Sequence, residues 1–388
     1  MESLQKYNNY LGILNCLRCK FCTVTDDYSE TLCPPYEEYK FFAYSAGGMV
    51  QIARAILTNT IHLSPDVAEV IYKCTTCGAC ITRCPNRYLN RPEFNPVTVI
   101  ETLREELVNS GIGPMPFQRK FGNSIKENHN PYGEKHETRT LWKPKNSSKG
   151  DTIYFVGCTT AYRHPEIAKS AFNILEAADI DFQVMPDEWC CGSPLLRTGQ
   201  RKIAEESIHH NVNVLNSMGV KQVITSCPGC YSTLKSDYPK IVGNTKFKVL
   251  HISEILQKIL NEGRLEFKKI RKKVTYHDPC HLGRFEGVYD PPREVLRVVP
   301  GIELVEMRRT REYSWCCGAG GGVMSAFPEF AAKTADVRIQ EALETGAESF
   351  VSTCPFCKHN FVRAAEQFNR DIEILDLTEI VAKAISDD

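Results

Sequence analysis

From residue 151 onward, short apolar runs alternate with longer stretches whose apolar residues recur every three or four positions. Runs at 152–158, 182–185 and 220–227 read as strands, and helical periods occupy 164–178 and 203–218. The same succession returns about 125 residues later, with strands at 273–280, 303–306 and 348–354 and helical periods at 292–299 and 329–345. Each half closes on a matching stretch, 249–256 and 374–381. Strands and helices alternating at this spacing predict parallel sheets with right-handed crossovers. The first 110 residues follow another pattern. Apolar positions at 46–58 keep a helical period, Ser64-Pro65-Asp66 supplies an N-cap and a first-turn proline, and Asn95-Pro96 opens a third helix running to Leu107. Residues 111–150 are poor in apolar residues and dense in turn formers, and read as a linker lying along the second unit. The predicted fold class is therefore α+β: a helical unit at 1–110, a linker at 111–150, and two α/β units at 151–270 and 271–388 related by a pseudo-twofold.

Cysteine changes this picture most. The chain has 388 residues and 18 cysteines, and every one falls into a spaced group. Disulfide scaffolds are small secreted chains, and the N-terminus leads into no apolar signal region, so C-x2-C spacing points to metal or cluster ligation. Cys16, Cys19 and Cys22 form C-x2-C-x2-C, with Cys33-Pro34 after ten residues. Cys74, Cys77, Cys80 and Cys84-Pro85 form C-x2-C-x2-C-x3-C-P, the run of bacterial two-cluster ferredoxins. In that run the cysteine before proline serves the other cluster, which assigns Cys16, Cys19, Cys22 and Cys84 to one cubane [4Fe–4S] cluster and Cys74, Cys77, Cys80 and Cys33 to a second. Zinc sites favour paired C-x2-C motifs, and the third cysteine at the same interval fits a cubane better. The insert between the motifs is longer than in a bare ferredoxin and helical in pattern, so the unit reads as a helical ferredoxin-like domain.

The α/β repeat carries its own quintets. Cys158, Cys190, Cys191, Cys227 and Cys230 recur as Cys280, Cys316, Cys317, Cys354 and Cys357, with intervals of 31 and 35 residues in the first set and 35 and 36 in the second. Both vicinal pairs stand in the tetrapeptide Trp-Cys-Cys-Gly, at Trp189 and Trp315. The strand pattern puts these ligands at the C-terminal ends of strands, where α/β sheets place their sites. A cubane takes four cysteines, so five imply something else. Adjacent cysteines cannot readily reach opposite corners of one cubane; they could bind neighbouring irons or bridge one.

This constellation resembles the cysteine-rich CCG domain of heterodisulfide reductases. The first unit resembles their small ferredoxin-like subunit and the repeat resembles their CCG-domain subunit. The fused order is similar to the D-type subunit of the membrane-associated, two-subunit enzyme of methanogenic archaea. The resemblance implies that each quintet holds a noncubane [4Fe–4S] cluster. It implies that the two clusters face a cavity where the disulfide of coenzyme M and coenzyme B is reduced to two thiols, with the two cubanes feeding electrons in. All ten quintet cysteines are then catalytic-site ligands, and the setting is anaerobic metabolism. Related iron–sulfur proteins that only relay electrons, between a flavoprotein dehydrogenase or electron-transfer flavoprotein and a membrane quinone, often have degraded quintets. All ten cysteines are present here.

Charge narrows the partners. Forty-seven basic residues balance 47 acidic ones, which gives no electrostatic case for nucleic acid or an anionic membrane. No run reaches the roughly 18 apolar residues of a membrane span. The expected protein is cytoplasmic, peripheral on the inner membrane face through a redox partner of cytochrome or flavoprotein type, and acts on a small thiol or disulfide. Trp189 and Trp315 are expected to pack against the clusters. The stretch Gly318-Ala-Gly-Gly-Gly-Val323 lacks the order of a dinucleotide loop and reads as backbone approaching a cluster or substrate. His164, His281 and His359 are candidate proton donors to a thiolate, and Arg197, Arg284 and Lys358 are candidate partners for a sulfonate or phosphate.

Overall fold

The computed structural model describes residues 15–25, 29–88, 94–143 and 150–385. Its N-terminal unit is built from helices Pro34–Tyr39, Ala46–Leu57, Pro65–Tyr72, Ala79–Arg83 and Pro96–Asn109. The starts follow local chemistry. Ser45 Oγ accepts from the Gly48 amide, Ser64 Oγ from Val67, and Asn95 Oδ1 from Val97 and Thr98, so first-turn amides that have no intrahelical partner find one. Met49, Val50 and Ala53 meet Ile71, Ile100, Leu103 and Leu107 in a core closed to solvent.

The segment that composition marks as a linker holds a 13-residue helix, Pro116–Asn128. Its apolar stripe is a single pair one turn apart, Phe121 and Ile125, too narrow to register as a period. Both side chains sink into the core of the first α/β half, so this segment lies along the second unit.

Each half contains one four-stranded parallel sheet. Strands β1 (Thr152–Tyr154), β2 (Phe182–Val184), β3 (Gln222–Thr225) and β4 (Lys248–His251) take the order β2-β1-β3-β4. Strands β5 (Lys272–His277), β6 (Ile302–Val305), β7 (Ser349–Ser352) and β8 (Glu373–Asp376) take the order β6-β5-β7-β8. The registers match: Ile153 lies between Gln183 and Val223, as Thr275 lies between Val305 and Phe350. The chain reverses its direction across each sheet at the central pair, β1 with β3 and β5 with β7, and connections leaving such a pair on opposite faces open a crevice. Cys158 and Cys227 follow the first pair, and Cys280 and Cys354 follow the second.

The halves interlock. Helix Leu377–Ile385 packs on Pro165–Ala177, and Ile252–Asn261 packs on Asp290–Val298, so the closing helix of each half covers the leading helix of the other. Tyr154, Phe172 and Leu256 share one buried cluster with Val274, Leu296 and Val381.

The closing turn of the second half predicts a pH effect. Asp376 Oδ1 accepts from the amide and hydroxyl of Thr378, while its Oδ2 is buried without a partner. Burial pushes the carboxyl up to about 7. A carboxyl that holds its proton more tightly folded than unfolded contributes stability below the unfolded value, near 3.9, and loses it as pH rises through the folded value. Asp376→Asn should therefore gain stability relative to the parent between about pH 5 and about pH 8. Thermal denaturation of both proteins at both pH values checks this, and a pH-independent difference would overturn it.

Candidate functional site

Cys16, Cys19, Cys22 and Cys84 line one small cavity with Phe42, Gly47 and Val50. Cys33, Cys74, Cys77 and Cys80 lie deeper. Burial pushes the Cys33 and Cys80 thiols well up, with their neighbours in the group adding to the effect. Burial also raises Cys74, to about 11, against the pull of the Arg104 guanidinium. Thiols so placed shed their protons only to a bound cation.

The larger cavity, of about 250 Å³, opens between the two halves. The first half contributes Cys158, Cys190, Cys191, Cys227 and Cys230, and the second contributes Cys280, Cys317, Cys354 and Cys357. In the first half the thiols follow one another in the sequence Cys158, Cys190, Cys191, Cys230, Cys227, each acting on the proton of the next. In the second, the neighbouring thiols of Cys316 and Cys357 hold Cys317 down to about 5. Cys316, absent from that lining, shares a buried cluster with Cys77 and is the main reason Cys77 is pushed well up. The glycines closing both pairs, Gly192 and Gly318, stand at φ 86° and 81°, which lets the chain turn away directly behind two ligands.

The glycine-rich stretch after Gly318 lies along the N-terminal unit. A Cβ on Gly321 would stand 2.5 Å from the Cys74 carbonyl, and one on Gly320 would stand 2.6 Å from that of Thr75. The same glycines line the large cavity, so one backbone strip separates it from the Cys74 loop. Arg104 closes this junction. Its guanidinium donates to the carbonyls of Ile71 (2.8 Å) and Cys74 (2.6 Å) in its own unit, Arg197 (2.6 Å) in the first half and Gly321 (3.0 Å) in the second. Sequence reading missed Arg104, although a charge at the buried position of the Ile100, Leu103, Leu107 stripe was a signal. It also missed Glu188, buried behind Trp189, which accepts from the Val156 and Gly157 amides (2.8 Å each) and pairs with Arg139. That pair fixes the turn into Cys158.

The expected polar residues divide. Of the six, only Arg197 and His281 line the large cavity. Arg197 is paired with Glu101 (3.0 Å) and Asp237, and Lys358 with Glu166 (3.1 Å) and Glu379 (2.5 Å), so these cations already face carboxylates. Arg284 donates to the carbonyls of Cys77, Glu312 and Ser314. His164 and His359 meet across the halves at 3.2 Å, away from the cavity lining. His281 Nδ1 stands 3.3 Å from Cys280 Sγ, and burial pushes its ring down to about 3. Trp189 is sandwiched between His129 and His210, with ring centroids 3.7 and 3.8 Å away. Trp315 is buried, lies under the Arg309 guanidinium and donates to the Thr334 carbonyl. The remaining cavity wall is small or apolar, from Phe121, Pro131, Tyr132, Met324 and Phe356, with hydroxyls from Thr159, Ser193 and Ser325.

The donor set fits iron–sulfur groups. All 18 cysteines are free, they gather in clusters, and thiolate sulfur is the ligand such groups take. Comparison with known proteins agrees. Residues 12–88 match the 4Fe-4S dicluster domain, and residues 152–235 and 274–362 each match the Cysteine-rich domain called CCG. The chain is 40% identical to the D-type subunit of the dihydromethanophenazine:CoB–CoM heterodisulfide reductase of Methanosarcina acetivorans, over 82% of this chain and 79% of that protein. It is 32% identical to the B-type subunit of the fumarate reductase (CoM/CoB) of Methanothermobacter marburgensis, over 100% of this chain and 75% of that protein. It is 31% identical to an EtfAB:quinone oxidoreductase of Syntrophomonas wolfei, over 82% of this chain and 47% of that protein. Two of these relatives are named as subunits of larger enzymes. No helix among the described residues is long and apolar enough to cross a membrane. A dicluster domain followed by two CCG domains, with this identity along most of both chains, places the protein in the family of the D-type heterodisulfide reductase subunits, as an iron–sulfur oxidoreductase component.

Proposed function

We propose that the chain is the catalytic subunit of a disulfide reductase, cleaving the heterodisulfide of coenzyme M and coenzyme B, or a close analogue, in the cavity between its halves. The observation that carries this is the shared lining: nine quintet cysteines, five from one half and four from the other, face one space. Cys158, Cys190, Cys191, Cys227 and Cys230 would hold one noncubane cluster, and Cys280, Cys316, Cys317, Cys354 and Cys357 the other. Cys16, Cys19, Cys22 and Cys84 would hold one cubane, and Cys33, Cys74, Cys77 and Cys80 the second. Such groups supply single electrons and a soft Lewis acid for sulfur, and two of them flanking a disulfide match its two-electron cleavage.

The overall change is balanced by two electrons and two protons: the sulfur–sulfur bond breaks and two thiols leave. Electrons come from a redox partner protein. Phe121, Met324 and Phe356 favour an organic chain over water, and the hydroxyls of Thr159, Ser193 and Ser325 offer donors to its polar ends. Arg197, neutralised by two carboxylates, holds the wall rather than a free anion. Turnover is the test. The anaerobically purified protein, reduced with a viologen dye, should oxidise the dye when the mixed disulfide is added and release two thiols. A protein that instead exchanges electrons only with a flavoprotein would support a relay role, the reading that the similarity to an EtfAB:quinone oxidoreductase favours.

A further inference from the structure

The two quintet sites differ in the buried ring that stands just before the first cysteine of each. Counting back three residues from Cys158 and from Cys280 places Phe155 at the first site and His277 at the second. Both are buried, Phe155 in an apolar cluster. A ring nitrogen of His277 and the sulfurs of Cys317 and Cys357 all lie within 4.8 Å of one another.

The rest of the pocket fixes which nitrogen carries hydrogen. Arg338 donates from Nε to His277 Nδ1 at 3.4 Å. Arg338 is itself held, by Glu341 (2.5 Å), the Arg309 carbonyl (2.8 Å) and Ser314 Oγ (3.1 Å). A guanidinium only donates, so Nδ1 must accept, and the neutral ring keeps its proton on Nε2. Phe350 and Phe361 pack edge-to-face with the ring, with centroids 6.1 and 4.9 Å away, and neither supplies a nitrogen, oxygen or sulfur acceptor. The sulfur cluster is the partner left for that N–H.

We propose that His277 donates its Nε2–H to sulfur of the group held by Cys317 and Cys357, and that this bond raises the reduction potential of the second site, a donor that Phe155 at the matching place in the first site lacks. It rests on the reading of the quintets as iron–sulfur sites. Reduction adds negative charge to the cluster and its thiolates, and a hydrogen bond aimed at sulfur stabilises the reduced form more than the oxidised one. Position reinforces the asymmetry, because Cys316 of the second quintet meets Cys77 of the N-terminal set. An electron arriving through Cys77 would then rest first at the second site.

The natural chain supplies the variant: His277→Phe installs the residue that the first half already folds around. In the loaded, anaerobic protein, a potentiometric titration followed by electron paramagnetic resonance should show one quintet signal moving to lower potential. The ratio of reduced to oxidised site at fixed poise should fall roughly tenfold or more. The other signals should stay in place, and iron and acid-labile sulfide per chain should be unchanged. His277→Gln keeps an N–H donor and should restore most of the shift. Unmoved potentials in fully loaded His277→Phe would overturn the proposal. Loss of that site's iron from His277→Phe would also overturn it, in favour of a nitrogen ligand. The titration uses no disulfide, so it stands apart from the turnover assay. Iron analysis of the parent protein tests the premise by itself.

Discussion

Cys191→Ser is expected to empty the first quintet site and abolish disulfide turnover while leaving the other sites loaded. Cys191 sits at the middle of the first thiol sequence, flanked by Cys190 on one side and Cys230 on the other, and it lines the cavity. A serine hydroxyl is a poor donor to a soft, sulfur-rich centre. If four clusters of four irons are bound, iron per chain should fall by about a quarter. The scaffold should survive, because a buried cysteine-to-serine change costs about 1–3 kcal/mol through an unsatisfied hydroxyl. Turnover with a two-electron substrate should drop to background, because one flanking site cannot replace two. Iron and sulfide analysis together with the viologen assay checks both halves of the expectation. A Cys191→Ser protein with full iron and parental turnover would remove Cys191 from the site.

What could be read from the sequence was what lies close in the chain. A strand ending in a cysteine, or two cysteines two residues apart, is a local pattern, and both duplicate sheets followed from such patterns, whereas the grouping of Cys84 with Cys16 and of Cys33 with Cys74 was expected from the ferredoxin-type run and the quintets from the repeat. The destinations of the charged side chains were not local. Arg197 lies near a cysteine pair in sequence, yet it answers Glu101 and Asp237, 96 and 40 residues away. Lys358 answers Glu166 across the halves, 192 residues distant. The helix Pro116–Asn128 was hidden for a related reason, since its two apolar residues acquire a meaning only against a core formed by later strands. His277 looked like an ordinary strand residue until the fold brought Cys317 and Cys357 to it.

Arg104→Met is expected to loosen the N-terminal unit from both α/β halves. The guanidinium is fully buried, and its four acceptors are all carbonyls, two within its own unit and one in each half. Burying an ion costs several kcal/mol, and only well-formed bonds to charged groups, each about 1.5–3 kcal/mol, offset it. Methionine fills the volume but takes the side-chain donor from the carbonyls of Cys74, Arg197 and Gly321, while that of Ile71 keeps the Cys74 amide, so the loss should be about 3–5 kcal/mol. Arg104→Lys keeps the charge as a single point that cannot reach carbonyls fanned over three units, and should recover only part of it. The damage should be directional. Arg104 also draws the Cys74 thiol down, so without it Cys74 is harder to deprotonate and its metal group is held less tightly. Thermal denaturation and limited proteolysis between the units measure the first effect, and iron per chain measures the second. Parental stability and iron content in Arg104→Met would show that the junction is held by its other ties, the backbone contact of Gly320 and Gly321 with the Cys74 loop and the bonds of Tyr72, Arg284 and Arg309 across it.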